Sequence, residues 1–534
     1  MPVDRRRRGG SLTDRISDYF VNRSSLGRRI AALAGELRQR RVPLHWTTMF
    51  GVVSMACVVV LFATGVFLMF LYTPSGTPVV YRGGYLPLHG TTMSKALSST
   101  LAISFAVQGG LVIRQAHHWA ALLLPVSLIL QLLVSFFTGA FRTPRKTGWV
   151  LLFFILIVAL VGGWSGYALP DDMLSGTGLR IVQGIVVGIP VVGAWASALL
   201  FGGGFPGQII EHLYPIHIVI VPVLLVLFLA ARIRSGYLKR PAQLPGPGRT
   251  EDNVVGVAIL PTAATRAGGL LLVVMGLLFF VSATFTVSPI WLYGPSSPAD
   301  ASADSQPDWY TGFLDGALRL IPSGWGFVWL GHTWALAILI PLAVVGAFLL
   351  VVLAYPFIEQ WISGDHRDHN LLDRPRNTPT RTAIGVAGMT FYGALWGAGS
   401  ADLIATHFQV TLESVLAFYQ VLALAGPIAG FVVTRRICFA LQRRDREMLL
   451  HGYETGRVVR MPGGEYVEVH RQLDAFERWR LVNASDYAPI RVTPDARGHI
   501  GAGMRIRARL SDFFFEERIA PVSRSDAAIS DRTP

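Results

Sequence analysis

The sequence predicts an all-α membrane protein with eight transmembrane helices, the first four gathered into a bundle, and both termini on the cytoplasmic side. Three observations carry this prediction. Hydrophobic residues make up 52% of the 534 positions and charged residues only 15%, a balance too apolar for a soluble chain of this size. Several stretches of about 20 residues carry no charge, enough as helix to cross a hydrocarbon core of ~30 Å. The arginines gather between those stretches, which is how basic loops are held on the cytoplasmic side.

That placement also accounts for the net charge of +14 and excludes a nucleic-acid partner. Cys57 and Cys438 are too few and too far apart for a disulfide framework, a metal-binding pair or a c-type haem attachment. Arg5–Arg8 lead into no immediate apolar core, so a cleaved signal is not expected.

Residues 1–42 read as a cytoplasmic leader with a short amphipathic helix around Leu26–Leu37. The first span is 48–72, and a helix over 98–137 enters the membrane near Arg114. Spans at 149–168 and 213–231 complete the first membrane unit, 43–240. The stretch 173–204 reads as surface helices on the outer side, because counting it as a span would put Arg232–Arg240 on the wrong face. The second unit, 241–440, opens with a basic Pro/Gly linker. It holds spans at 267–288, 327–354, 383–400 and 415–434 and an acidic loop with Asp300, Asp304 and Asp308. Residues 441–534 form a charged cytoplasmic tail. With eight spans, segments 142–146, 232–249, 367–381 and 435–446 all fall inside, whereas Asp171 and Asp172 fall outside. A transporter is disfavoured because no inverted repeat with matching broken helices is evident.

Ionisable groups within spans are expensive and mark function. The helix with Arg114-Gln115-Ala116-His117-His118 and the helix with His212 and His217 both enter from the outer side. One histidine from each, at matching depth, would grip a haem iron from opposite faces. The alternative is that they form ordinary interfacial hydrogen bonds.

Gly51 and Gly65, RQAHHWA (114–120), FFTGAFRTPR (136–145), GYALPDDMLSGTGLR (166–180), LPGPGRTEDNVVGV (244–257), SQPDWY (305–310), AYPFIE (354–359) and HGYETG (451–456) occur in one collinear order. Over residues 42–475 the chain thereby resembles the cytochrome b subunit of the actinobacterial cytochrome bc complex. The resemblance implies two b-type haems stacked in the first four spans, each held by one histidine from the second span and one from the fourth. Ligands fourteen residues apart share a helix face, ~21 Å apart in height.

The outer pair carries over onto His117 and His217, with Arg114 against a haem propionate. Gly51, Gly65 and Gly166 lack the Cβ that would block a porphyrin edge. The inner pair does not carry over. Gln131 stands fourteen residues after His117, and Arg232 fifteen after His217. Neither is a competent iron ligand. Val134 stands where the resemblance places a propionate arginine, and Leu152 where it places a glycine. Four such departures lining one pocket imply a single, outer haem b; a shifted register is the alternative, against which the ungapped flanking motifs speak.

The resemblance also implies quinol oxidation at the outer face beside Pro307-Asp308-Trp309-Tyr310. Asp308 is the candidate proton acceptor, and Tyr310 packs or hydrogen-bonds at the cleft. The alternative for Asp308 is a solvated loop acid capping the next helix. The implied setting is a menaquinol–cytochrome c reductase with a Rieske iron–sulfur subunit and a cytochrome c subunit, forming a homodimer and associating with a terminal oxidase. In the family one quinol electron goes to the iron–sulfur partner and the other crosses between the haems; losing the inner haem interrupts that crossing. A catalytically degenerate paralogue, serving as a scaffold or in assembly or regulation, is the competing reading.

Overall fold

The computed structural model of the chain describes residues 24–203, 208–297, 308–474, 477–478, 481, 489–492 and 501–515. Asp300, Asp304, Ser305, Gln306, Pro307 and most of the leader lie outside these residues. Among the described residues, seven helices are long and apolar enough to cross a membrane.

Helix α1 (Ser25–Gln39) precedes the first span and is capped by Ser24, whose hydroxyl accepts the Gly27 amide at 2.8 Å. In order follow α2 (Met49–Met69), α3 (Lys95–Phe105), α4 (Gly110–Phe137), α5 (Lys146–Ala168), α6 (Met173–Val187), α7 (Gly193–Phe201) and α8 (Ile209–Tyr237). The second half holds α9 (Ala264–Thr284), α10 (Gly312–Arg319), α11 (Leu336–Ser363), α12 (Pro379–Gly399), α13 (Leu412–His451) and α14 (Ala502–Phe515).

One buried apolar cluster draws Cys57 and Val60 from α2, Ala116, Leu124 and Leu128 from α4, Leu152 and Ile155 from α5, and Val221 and Leu225 from α8. The first four long helices therefore share a core. Large apolar side chains such as Val223, Leu272, Leu350 and Leu424 are exposed on the outside of the helices, as a lipid-facing surface requires. The chain is a multi-pass membrane protein.

The basic segments meet at one end. Arg145 reaches the Arg240 carbonyl at 3.4 Å and the Asn370 side chain at 3.1 Å. Arg381, 1% exposed, pairs with Asp373 at 2.7 Å and Glu359 at 2.5 Å, and Arg142 joins Asp373 at 3.1 Å. Carboxylates thus neutralise the guanidiniums that are buried there. At the other end, Asp172 caps α6 through the Leu174 and Ser175 amides. Helices α6 and α7, at 15 and 9 residues, reach only ~22 and ~14 Å, too short to span the core singly.

Three boundaries differ from the sequence reading. The helix over 98–137 breaks at residues 106–109, where Gly109 takes φ 74°, a left-handed turn that glycine adopts without strain. Residues 326–335 begin no span. They form a hairpin of β1 (Gly326–Trp329) and β2 (His332–Ala335), and the helix starts at Leu336. Helix α12, rich in Gly, Ala and Thr, is not among the seven helices long and apolar enough to cross a membrane. It nevertheless runs from the basic end, where Thr382 bonds the Pro375 carbonyl at 2.6 Å, to the other end, where Trp396 donates to the Trp309 carbonyl at 2.8 Å. Helix α13 continues to His451, into the segment read as tail.

Candidate functional site

A cavity of ≈340 Å³ opens among α2, α4, α5 and α8, with Gly65, Arg114, His117, His118, Gly166, His217 and Asp308 on its wall. Gly65 and Gly166 seat the two histidines. A Cβ at Gly65 would stand 3.2 Å from the His117 ring, and one at Gly166 only 2.6 Å from the His217 ring. Each glycine lets an imidazole lie against a neighbouring helix.

Hydrogen bonds then set the tautomers. The Thr64 hydroxyl donates to the Val60 carbonyl at 2.6 Å and therefore accepts Nδ1–H of His117 at 2.9 Å. Ser165 repeats the arrangement, donating to the Gly162 carbonyl at 3.1 Å and accepting Nδ1–H of His217 at 3.0 Å. Both rings keep Nε2 as an unprotonated lone-pair donor, the form that binds a metal. Their centroids lie 6.1 Å apart.

Arg114 is 8% exposed; one terminal nitrogen donates to the Ser288 carbonyl at 3.2 Å, while its Nε is buried with no hydrogen-bond partner. A buried guanidinium with an unused donor fits an anionic group such as a propionate. Among the described residues no group of three or more His, Cys, Asp or Glu is placed to hold a metal ion. A haem, if bound, would need from the protein only the imidazoles of His117 and His217. The residues present fit a haem.

Gly51, fourteen residues before Gly65, is not part of this cavity. A Cβ there would meet Gln131 Oε1 at 3.7 Å. At this inner level Arg232 donates to Gln131 Oε1 at 3.0 Å and to the Gly148 carbonyl at 3.1 Å. Gln131 Nε2 donates to Ser54 at 2.8 Å, and Ser54 meets Ser127 at 2.6 Å. Leu152 is 2% exposed in the core. Val134 lies on α4 one turn beyond Gln131. Gln131 and Arg232 are thus bonded to each other.

Asp308 does not cap the following helix with its side chain. Its carboxylate meets His118 Nε2 at 3.0 and 3.1 Å and accepts the Tyr310 hydroxyl at 2.8 Å. Tyr310 is buried against α5, where a Cβ at Gly163 would overlap its hydroxyl at 2.5 Å. His212 lies apart, near the Leu199 carbonyl at 3.4 Å. Sequence reasoning missed Thr64, Ser165, Gly163 and the role of His118. A signal for the first two was present: a hydroxyl residue immediately precedes each histidine-seating glycine, as Thr64-Gly65 and Ser165-Gly166.

Residues 122–295 match the family model described as Cytochrome b(N-terminal)/b6/petB. A cytochrome bc1 complex cytochrome b subunit from Streptomyces coelicolor is 41% identical over 510 residues, covering 94% of this chain and 93% of the relative. Subunits of the same description from Corynebacterium efficiens and Mycobacterium leprae are 40% and 41% identical over 445 residues, covering 83% of this chain and 82% and 80% of theirs. A chain of a hyperthermophilic respiratory Complex III shares the fold with a TM-score of 0.59 at 18% identity, over 79% of this chain and 98% of its own. Identity at this level along nearly the whole length goes with the collinear motifs and the paired imidazoles, and the chain belongs to the cytochrome b subunits of the cytochrome bc1 complex.

Proposed function

We propose that this subunit oxidises quinol at the outer face with a single haem b, held by His117 and His217, and that protein side chains close the inner haem position. The contrast between equivalent levels of one bundle carries this reading. Above, two imidazoles with free Nε2 atoms border a cavity. Below, the corresponding residues are joined by a 3.0 Å hydrogen bond.

A bound haem would supply a one-electron redox centre. Thr64 and Ser165 fix the ligand tautomers, Gly65 and Gly166 give the rings room, and Arg114 balances a propionate. Asp308 takes the proton of a quinol hydroxyl arriving at the cavity wall. His118 and Tyr310 hold its two oxygens in place, and a quinol hydroxyl would replace one of these contacts. The proposed substrate is menaquinol, and the proposed partners are a Rieske iron–sulfur subunit and a cytochrome c subunit. The proposed assembly is a homodimer able to join a terminal oxidase, with eight crossings per chain and both termini cytoplasmic. Gln131, Arg232, Val134 and Leu152 give a second haem neither ligands nor room, so these residues do not support electron transfer across the bilayer.

The same closed position also favours a second reading, a catalytically degenerate scaffold or assembly paralogue. Membranes holding the parent or Asp308→Ala, given quinol and followed by reduced-minus-oxidised spectra, separate the two. Quinol-dependent haem b reduction in the parent, slowed in the variant, supports catalysis. A parent that stays oxidised supports the scaffold.

A further inference from the structure

Helix α1 carries an apolar stripe that the described residues leave about half exposed. Leu26, Ile30 and Leu33 recur at i, i+4 and i+7, within ~60° of one another around the helix. They are 62%, 58% and 48% exposed. The helix packs on the protein through a different face: Gly27 is buried, and Ala31, Ala34 and Gly35 are half-buried, beside the start of the fifth long helix at 259–263. The stripe therefore points sideways from the bundle, neither into the protein nor away along the polar face that carries Arg28, Ala32 and Gln39.

The position of α1 is fixed at the basic end. Arg40 donates to the carbonyls of Tyr237 and Lys239 and lies 4.3 Å over the Tyr237 ring. Arg41–Val42 pair with Val257–Ala258. These contacts tie the end of α1 to the ends of α8 and α9. The charge is one-sided, with Arg28, Arg29, Arg38, Arg40 and Arg41 against Glu36 alone. Arg29 borders the stripe on the side away from the packing face, about 40° from Leu33.

An apolar stripe on a basic helix, bordered by Arg29 and held beside membrane-helix ends, complements one surface, the boundary between anionic headgroups and acyl chains. We infer that α1 is an in-plane anchor that seats Leu26, Ile30 and Leu33 about 5–10 Å into the leaflet while its arginines hold anionic phospholipid headgroups. Assigning this to the cytoplasmic leaflet rests on the topology proposed above; the lipid contact itself does not.

The test uses the full-length protein with a nitroxide on Ile30→Cys, or on Ala32→Cys, an exposed position outside the stripe. Cys57 and Cys438 are buried, and unlabelled-site background is taken from the parent. Each sample is placed in vesicles of phosphatidylglycerol and phosphatidylcholine, in phosphatidylcholine alone, and in detergent. The reading is the ratio of collisions with oxygen to collisions with a water-soluble nickel chelate. In anionic vesicles the ratio at 30 is expected to be severalfold above that at 32. It should fall in phosphatidylcholine alone and in the triple variant Arg28→Gln, Arg29→Gln, Arg38→Gln. Equal ratios at 30 and 32 in anionic vesicles would overturn the anchor. So would shielding of position 30 from both reagents that persists in detergent, the mark of a protein neighbour such as a second copy. A ratio unchanged by lipid charge and by the triple variant would overturn the anionic-lipid specificity.

Discussion

Leu152→Gly places at the inner level the small residue that a porphyrin edge needs there, and its effect depends on whether protein or haem fills that space. Leu152 is 2% exposed and packs in the common core of α2, α4, α5 and α8. If protein fills the space, the substitution opens a cavity, at about 3–5 kcal/mol for losing a buried leucine side chain. Glycine inside a helix adds roughly 1 kcal/mol, for a total of about 4–6 kcal/mol. The assay is chemical unfolding of purified protein in detergent, with haem content measured on the same samples. The single variant should be strongly destabilised at unchanged haem content. Adding Gln131→His, Arg232→His and Val134→Arg removes the Gln131–Arg232 bond and supplies ligands and a propionate partner. This fourfold variant should gain a second haem and recover stability through ligand binding. A Leu152→Gly protein as stable as its parent, or one that gains haem without the histidines, would refute the reasoning.

Asp308→Asn keeps the shape of the side chain but removes the proton acceptor, so quinol oxidation should fall about 10²–10⁴-fold at unchanged haem content. His118→Ala, which frees Asp308 from one of its two holders, should lower the same rate by roughly tenfold, the weight of one hydrogen bond to a charged group. Gly166→Ala drives a Cβ to 2.6 Å from the His217 ring and should abolish the haem b spectrum, whereas Gly65→Ala, at 3.2 Å from His117, should only weaken it. Asp171, in the loop after α5, is raised from 3.8 to about 6, by burial first and then by Asp172 and Glu211, against a Ser94 hydrogen bond that lowers it. Its folded pKa exceeds its unfolded one, so the ionised group costs about 3 kcal/mol above pH 6, and the cost disappears as the pH falls to 4. Asn tolerates the left-handed φ of 56° at this position. Asp171→Asn should therefore raise stability at pH 8 and leave it nearly unchanged at pH 4, measured by unfolding at both values.

The spans were legible because crossing lipid demands long uncharged runs, and the reading of 173–204 as short helices rather than a ninth span came from the charge bias. Breaks inside apolar sequence were not legible. Residues 98–137 are apolar through the turn at Gly109, and the apolar run Phe327–Leu330 lies close ahead of the apolar helix at 336, so its hairpin read as the start of the span. The family resemblance singled out His117, His217, Gln131 and Arg232. It did not foresee that Gln131 and Arg232 bond to each other, because their separation of 101 residues carries no local signal. The His118–Asp308 contact spans 190 residues and was invisible for the same reason. Thr64 and Ser165 looked like ordinary small residues in a helix until the hydrogen bonds assigned their protons.

The number of haems per polypeptide tests the central claim most directly. A pyridine haemochrome assay on the purified protein, scaled to its concentration by amino-acid analysis, should give one haem b per chain, lost together with either His117 or His217. Two haems per chain, or a haem that survives replacement of both histidines, would contradict it.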